Sequence, residues 1–558
     1  MKTEQDGHDQ PRLNANVSLM RTFLQVLAPM AGRKPSVTVM RNRVADLLRQ
    51  ARADGELDRI VRQVISFVGL ESFLPPSYAK FQVVLTEGMA FLLASFSLTR
   101  LAEKIVDQLQ LPFTALLGRR VFTLVSDMPT LQKLGQVIAR NPNLDPVFKR
   151  ALVDLEDNLK TVTFEQIKPL LDKEIGKPRH DFSITPEPGI LAEASVCAVV
   201  PAEVAAPMGH SFRAVLKVVK PKVAKNIGSE LTLLARLAVF LDQHREEWGL
   251  GRFLFQATFA EVKKAIRSEM NLTGEQDNLD QAGAYYGSDQ SLLVPARLPV
   301  STPRMTAMTR IDGTKITDVA GLTKRERWLL AATLARICIL RPIQDTKDES
   351  MFHGDPHAGN LAYIFECGRP RIILYDWAMI GKLNRVDRLA MVMLTLGLIM
   401  GNKKAVFYAA DIITKGQLSA DPGIGDKIQR TINEVISRRG MKVTGAMSAI
   451  EQLFENFTYH GVVFSSDMMM YKKVLFTLQG VLTEIDPLFN RDDYLVWAAM
   501  LTFVEDLIKL RLLRLVLHET WSLYRHSLAL LFDVQKVVLR FIWDLGFSWT
   551  KLPRHFFK

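Results

Sequence analysis

An α+β architecture in two lobes, with helical segments before and after it, is what the order of patterns along this chain predicts. Helical periodicity runs from about Val17 to Gly176. Short β-like runs interleaved with helices follow from about Phe182 to Leu383, and helical periodicity returns beyond Asn384. At 558 residues the chain exceeds what one core usually organises, so two or three structural units are expected. The divisions expected are a helical extension at residues 1–176, a first lobe at 177–313, a second lobe at 314–500 and a tail at 501–558.

Each element has a local reason. Leu74-Pro75-Pro76 and Asn141-Pro142 break the first helices, because proline disfavours a helical residue before it. Ala192–Ala202 and Phe212–Lys220 read as strands joined by a turn at Pro207-Met208-Gly209-His210. Helices are expected over Val223–Gln243 and Ala260–Tyr286, and a strand over Arg304–Ile311, closed by Asp312-Gly313. A long helix at Lys324–Leu340 precedes a hairpin of Leu361–Phe365 and Arg371–Tyr375 around Glu366-Cys367-Gly368-Arg369-Pro370.

Composition narrows the class. Hydrophobic residues make up 48% and charged residues 23%, the balance of a folded globular protein. A net charge of +12 favours anionic partners: nucleotides, nucleic acid or acidic membrane surfaces. Zinc-finger spacing, RNP-like motifs and a lysine-rich tail are missing from the sequence, so nucleic acid is not expected as a partner. Cys197, Cys338 and Cys367 are too scattered for a disulfide framework or a zinc site, which fits a reducing, cytoplasmic compartment. No run of eighteen uncharged apolar residues occurs, so a spanning helix is not expected. The tail from Leu507 to Lys558 mixes Lys509, Arg511, Arg514, Lys536 and Arg540 with Trp521, Trp543, Phe547 and Trp549. Basic amphipathic helices with interfacial aromatics lie on anionic membranes, so peripheral attachment at the inner face is an expectation, with packing on the protein the alternative.

The chemistry concentrates in His353-Gly354-Asp355-Pro356-His357-Ala358-Gly359-Asn360 and, beyond the hairpin, Asp376-Trp377-Ala378. Phosphoryl transfer needs a carboxylate near the attacking oxygen and hard oxygen ligands for magnesium. The spacing of Asp355 and Asn360 is that of the kinase catalytic loop, and the hairpin would return Asp376 beside Asn360. Turn chemistry is the bland alternative for such residues. Lys217, within the apolar run Phe212–Val218, is costly to bury unless an anion meets it, and ATP phosphates would do so. Its glutamate partner is expected from the following helical region, as Glu269 or Glu275, while Lys220 and Lys222 are read as solvent-facing. Where a glycine-rich phosphate loop would stand, the sequence has Leu191-Ala192-Glu193-Ala194-Ser195.

Together these residues resemble the UbiB family of atypical kinase-like proteins, also called the AarF-type family. Its alanine-rich nucleotide loop corresponds to Ala192, Ala194 and Ser195, and its K-x-G-Q motif stands upstream as Lys133-Leu134-Gly135-Gln136. The resemblance covers roughly Ser126 to Leu383. It implies a bilobal protein kinase-like fold with a K-x-G-Q-type helical extension, ATP and Mg²⁺ as cofactors, and modest ATPase or small-molecule kinase activity. It further implies a role in isoprenoid-quinone or other lipid pathways at membranes, with a lipid or quinone precursor as a partner. The sequence departs from the family at Glu269-Met270-Asn271, which lacks the second carboxylate of E-x-D, and at Trp377-Ala378, where phenylalanine and glycine are usual.

On this reading Lys217 holds the α- and β-phosphates, Asn360 and Asp376 bind Mg²⁺, and Asp355 orients the attacking hydroxyl or water. One alternative is a phosphotransferase resembling the aminoglycoside and choline kinase group, suited by Asp376-Trp377 but not by the helical preface. Another is a nucleotide-binding pseudokinase scaffold.

Overall fold

A computed structural model describes residues 35–139, 162–176, 182–205, 211–439 and 445–498, apart from positions 75, 113, 127, 252, 253 and 496. The expected turn at Pro207–His210, the Asn141-Pro142 break and the tail of 501–558 lie outside these residues. The chain divides into two compact units: Met1–Thr273 with Leu298–Ala307, and Gly274–Arg297 with Met308–Lys558.

Among the described residues of the first unit, six helices of the extension come first: α1 Val37–Ala53, α2 Leu57–Val68, α3 Gln82–Ala94, α4 Leu98–Leu109, α5 Leu117–Val125 and α6 Pro129–Ala139. Ser36 and Ser97 cap α1 and α4, their hydroxyls accepting from Val39 N and Arg100 N. The buried stripe Met40, Val44, Leu48 and Ala51 shows how α1 is amphipathic at helical spacing. A further helix, α7 Phe164–Ile175, carries the Thr163/Gln166 capping box. The long helix α8 Pro221–His244 and its successor α9 Phe255–Met270 join the extension in one core through Leu234, Leu237, Leu241, Val262 and Ile266.

Strands β1 Ser183–Pro186, β2 Ala192–Glu193, β3 Cys197–Ala205 and β4 Ser211–Val219 form a sheet completed, after the two-residue strand β5 Leu292–Leu293 of the second unit, by β6 Met305–Thr309. The order is β1-β3-β4-β6, with β2 also on β3. Alternation decides the faces. Ala198, Val200, Ala202 and Val204 of β3 and Ala214, Leu216 and Val218 of β4 share a core with Ile167 and Leu171 of α7. Lys217 consequently projects from the opposite face of β4.

Three elements differ from expectation. The strand expected over Ala192–Ala202 is two strands, folded back so that Ala192 opposes Val199. The chain turns at Ala194-Ser195-Val196, with Ala194 N bonded to Cys197 O at 2.9 Å, and neither glycine nor proline marks the reversal. The helix expected over Ala260–Tyr286 breaks at Asn271 (φ −85°, ψ 74°) into α9 and α10 Leu272–Tyr286. Asparagine competes for backbone hydrogen bonds and so interrupts helices. The helix expected over Lys324–Leu340 is α11 Lys324–Ala335, continued as a π-helical turn Arg336–Leu340 into α12 Arg341–Gln344. Pro342 lacks an N–H and its ring crowds the carbonyl four residues back, which the wider turn relieves.

The second unit holds the motif-bearing strands. β7 Thr314–Lys315, β9 Leu361–Glu366, β10 Arg369–Leu374 and β5 form one sheet in the order β5-β10-β9-β7, while β8 Glu349–His353 pairs antiparallel with β11 Ile380–Asn384. The β9–β10 hairpin turns at Cys367 (φ 51°) and Gly368 (φ 74°), the two left-handed residues a tight hairpin requires. Helices α13 Arg385–Met400, α14 Lys403–Ile413, α15 Gln417–Ala420, α16 Pro422–Arg439, α17 Ala446–Tyr459 and α18 Ser466–Ile485 follow. Among the described residues no helix is long and apolar enough to cross a membrane.

Helix α18 is fixed to the π-helical turn by Tyr471, fully buried, whose hydroxyl donates to Ile339 O at 2.7 Å. Tyr471→Phe removes that donor while keeping the ring. A loss of about 1–3 kcal/mol in urea unfolding is expected, and unchanged stability would show that the carbonyl finds another partner.

Candidate functional site

In the first unit the structure brings Lys133, Ser195 and Glu269 together. Lys133, buried on α6, forms an ion pair with Glu269 Oε1 at the end of α9. Ser195 Oγ donates to Glu269 Oε2 at 3.0 Å. One carboxylate thus ties the K-x-G-Q helix to the turn between β2 and β3. Gln136 shares the helix, but its side chain lies outside the described residues. Ala192 and Ala194 sit in β2 and the turn after it.

Lys217 is 5% exposed, on a strand flanked by β3 and β6 rather than at an edge. Lys220, expected to face solvent, is buried instead and pairs with Glu193 Oε1 at 2.7 Å. The reason is positional. Lys220 follows β4 directly, and Lys220 N bonds Val196 O at 3.0 Å, so its side chain starts beside the β2–β3 turn. Glu269 and Glu275, expected on one helix, fall on opposite sides of the Asn271 break, Glu269 in the first unit and Glu275, also buried, on α10 in the second.

The second unit assembles Asp355, Asn360 and Asp376. β8 and β9 deliver the two ends of the loop between them, and the β9–β10 register returns the chain so that Tyr375 N donates to Asn360 O at 3.0 Å. Asn360 Nδ2 donates to Asp355 O at 3.1 Å. With that nitrogen committed, Oδ1 is the atom Asn360 can offer a cation. Asp376 adopts a left-handed backbone (φ 51°), which a short polar side chain tolerates, and its Oδ1 accepts from Ala378 N at 3.1 Å.

His353 links the two loops. Its Nδ1 accepts from Asp355 N at 3.1 Å, and its Nε2 lies 2.9 Å from both Tyr375 O and Asp376 O. Since Nδ1 faces a donor, the proton belongs on Nε2, where it meets the carbonyls. Trp377 closes the group. It is 1% exposed, packs edge-on against His353, and donates from Nε1 to Leu374 O at 3.1 Å. Asn278 Nδ2 of α10 donates to Trp377 O at 2.9 Å. The tryptophan therefore fills the phenylalanine position with a satisfied polar handle.

Asp376 and Asn360 supply hard oxygens, and magnesium commonly takes one or two protein ligands with phosphate and water oxygens completing its shell. The residues fit that donor set. Sequence reasoning missed Asn278, the burial of Lys220, and Lys473 of α18, whose Nζ lies 3.1 Å from Asp355 Oδ1. No local motif marks any of the three, because each acts through a contact remote in sequence.

Burial lowers the pKa of His353 below the usual 6.5, against the smaller raising effects of Tyr375 O and the nearby Asp355 and Asp376. The neutral ring's contribution to stability is therefore complete above about 6.5, the unfolded value, and falls as pH drops below it. Wild type should lose more thermal stability between pH 7.5 and 5.5 than His353→Asn. Parallel losses would remove His353 as the titrating group.

Residues 154–410 match the family model described as the ABC1 atypical kinase-like domain. Among curated relatives, a Synechocystis protein, sll1770, is 24% identical over 66% of this chain and 61% of its own length. Proteins named probable protein kinase UbiB from Marinobacter nauticus and Erwinia tasmaniensis are 24% and 25% identical, over 69% and 68% of this chain and 68% of each of theirs. The chain thus spans less than two thirds of sll1770 and slightly more than two thirds of the other two. A solved Mycobacterium tuberculosis structure, the Rv3197–erythromycin complex, aligns at 16% identity and a TM-score of 0.40, over 64% of this chain and 83% of that one. With its motifs in family order and residues 154–410 matched to the family model, this chain carries an ABC1 atypical kinase-like domain and is similar to the proteins named probable protein kinase UbiB.

Proposed function

We propose that the protein binds ATP with magnesium and uses it as an ATPase or small-molecule kinase in isoprenoid-quinone or other lipid metabolism. The observation that carries the reading is the locked cluster of Asp355, Asn360 and Asp376, held by His353 and by the Asn360–Asp355 bond. In this assignment Lys217 supplies the cation for the α- and β-phosphates, and Asn360 and Asp376 hold Mg²⁺, which when bound neutralises charge on the β- and γ-phosphates. Asp355 orients the attacking hydroxyl or water. Lys133, Ser195 and Glu269 fix the alanine-rich turn, in which Ala192, Ala194 and Ser195 stand beside the phosphates in place of glycines.

The lipid setting is supported by the family and by the +12 charge, which favours an anionic membrane surface. Peripheral attachment through the basic aromatic tail follows from the same charge and from the tail's composition.

Thermal unfolding with ATP tests the first part. Mg·ATP at a hundred times its dissociation constant adds about 2.7 kcal/mol of stability. The shift should require magnesium and weaken in Lys217→Ala and Asp376→Asn. A well-folded wild type with no shift would sink the reading. Flotation with phosphatidylserine-containing vesicles tests the second part. Binding should fall as salt rises and disappear on removing residues 507–558, while undiminished binding would take the tail out of the argument.

A further inference from the structure

The loop from His353 to Asn360 contains neither lysine nor arginine, so a cation that meets Asp355 must come from elsewhere. It comes from α18. Asp467, Met470 and Lys473 recur every third residue and share one side of that helix. Asp467 Oδ1 accepts from Lys382 N at 3.1 Å, on β11, the strand paired with β8. Met470 crowds Gly354 so closely that a Cβ built there would lie 2.5 Å from its sulfur. Lys473 Nζ then stands 3.1 Å from Asp355 Oδ1. Three contacts in succession set the height of α18 against the loop, and Tyr471 anchors the same turn from another side. The ammonium is delivered by a fixed helix rather than a loop, with its side chain 31% exposed and that of Asp355 11%.

We propose that Lys473 is a positioning residue for phosphoryl transfer, holding Asp355 by Oδ1 so that the other carboxylate oxygen faces the nucleophile. This rests on the phosphoryl-transfer reading above. In the step, the attacking oxygen of a hydroxyl or water bonds to the γ-phosphorus and passes its proton to the carboxylate. The bond from that phosphorus to the β-phosphate oxygen breaks, and its electron pair leaves with ADP. A carboxylate free to rotate would present its oxygen at the wrong angle, and misplacement of that order costs about 100-fold in rate.

The experiment compares wild type, Lys473→Met and Lys473→Arg for kcat and KM in ATP hydrolysis and for the Mg·ATP thermal shift. Lys473→Met should lower kcat on the order of 100-fold with the shift and KM little changed, and arginine should restore most of the rate. Wild-type kcat in Lys473→Met overturns the proposal. So does a parallel loss of rate, thermal shift and stability that arginine fails to rescue, which would mark a structural role. A double-mutant cycle of Lys473→Met with Asp355→Asn in urea unfolding reads the pair without turnover, and additive effects also overturn the proposal. A folded wild type that neither binds nor hydrolyses Mg·ATP would instead overturn the phosphoryl-transfer reading, while coupling in the cycle would still establish the pair.

Discussion

A buried imidazole with one proton to give holds the second unit's chemistry in register. His353 ends β8, takes the N–H of Asp355 on one nitrogen, and reaches the carbonyls of Tyr375 and Asp376 with the other. Burial makes the neutral ring the favoured form. A second ring proton would point at the Asp355 N–H and break the contact that orients the loop. The left-handed backbone of Asp376 is held in this setting, with its own carboxylate closing the turn onto Ala378. A backbone in a sparsely populated region persists only where its surroundings over-determine it, and such positions cluster at functional sites.

The first unit solves a different problem. A glycine-rich loop gains close approach to phosphate by having no Cβ atoms, and remains flexible for the same reason. The turn after Ala192-Glu193 gives up that approach and is held instead by two buried ion-pair systems. Glu193 pairs with Lys220, just beyond β4. Ser195 bonds Glu269, which pairs with Lys133 on the helical extension. Removing one member of a buried pair leaves the other charged and unsolvated, which costs about 3–5 kcal/mol. The turn's geometry is therefore set partly by a helix far upstream of the sheet.

This also explains what the sequence disclosed and what it hid. The strand β4, the Cys367-Gly368 hairpin and the loop from His353 to Asn360 were legible because each depends on spacing within a short stretch. Alternation, turn residues and motif order are local. The β2–β3 reversal was illegible because Ala194-Ser195-Val196 continues into the next strand with neither glycine nor proline to mark it. The helix break at Asn271 hid inside a pattern amphipathic on both sides. Lys220 was misread because a lysine one residue beyond a strand usually reaches water, and only the fold brings Glu193 to meet it. Asn278 and Lys473 left no signal, since their partners lie on distant strands and loops.

The number of buried ionisable groups bears on whether such a chain could serve as an inert scaffold. Lys133, Glu193, Lys217, Lys220, Glu275 and Asp355 all have low exposure. Taking a charge out of water costs several kcal/mol, and well-packed apolar side chains of similar volume are often as stabilising as a buried pair, or more so. A scaffold that needed only the fold would be at least as stable with apolar residues at several of these positions. The structural pairs account for Lys133, Glu193 and Lys220, each of which joins separate elements. Asp355 is likewise met by Lys473 of α18, and in the function proposed above Lys217 and Asp355 each carry a charge that phosphoryl transfer uses. An anion at Lys217 and a nucleophile at Asp355 would turn a cost in folding into a gain in binding, the exchange on which electrostatic catalysis depends.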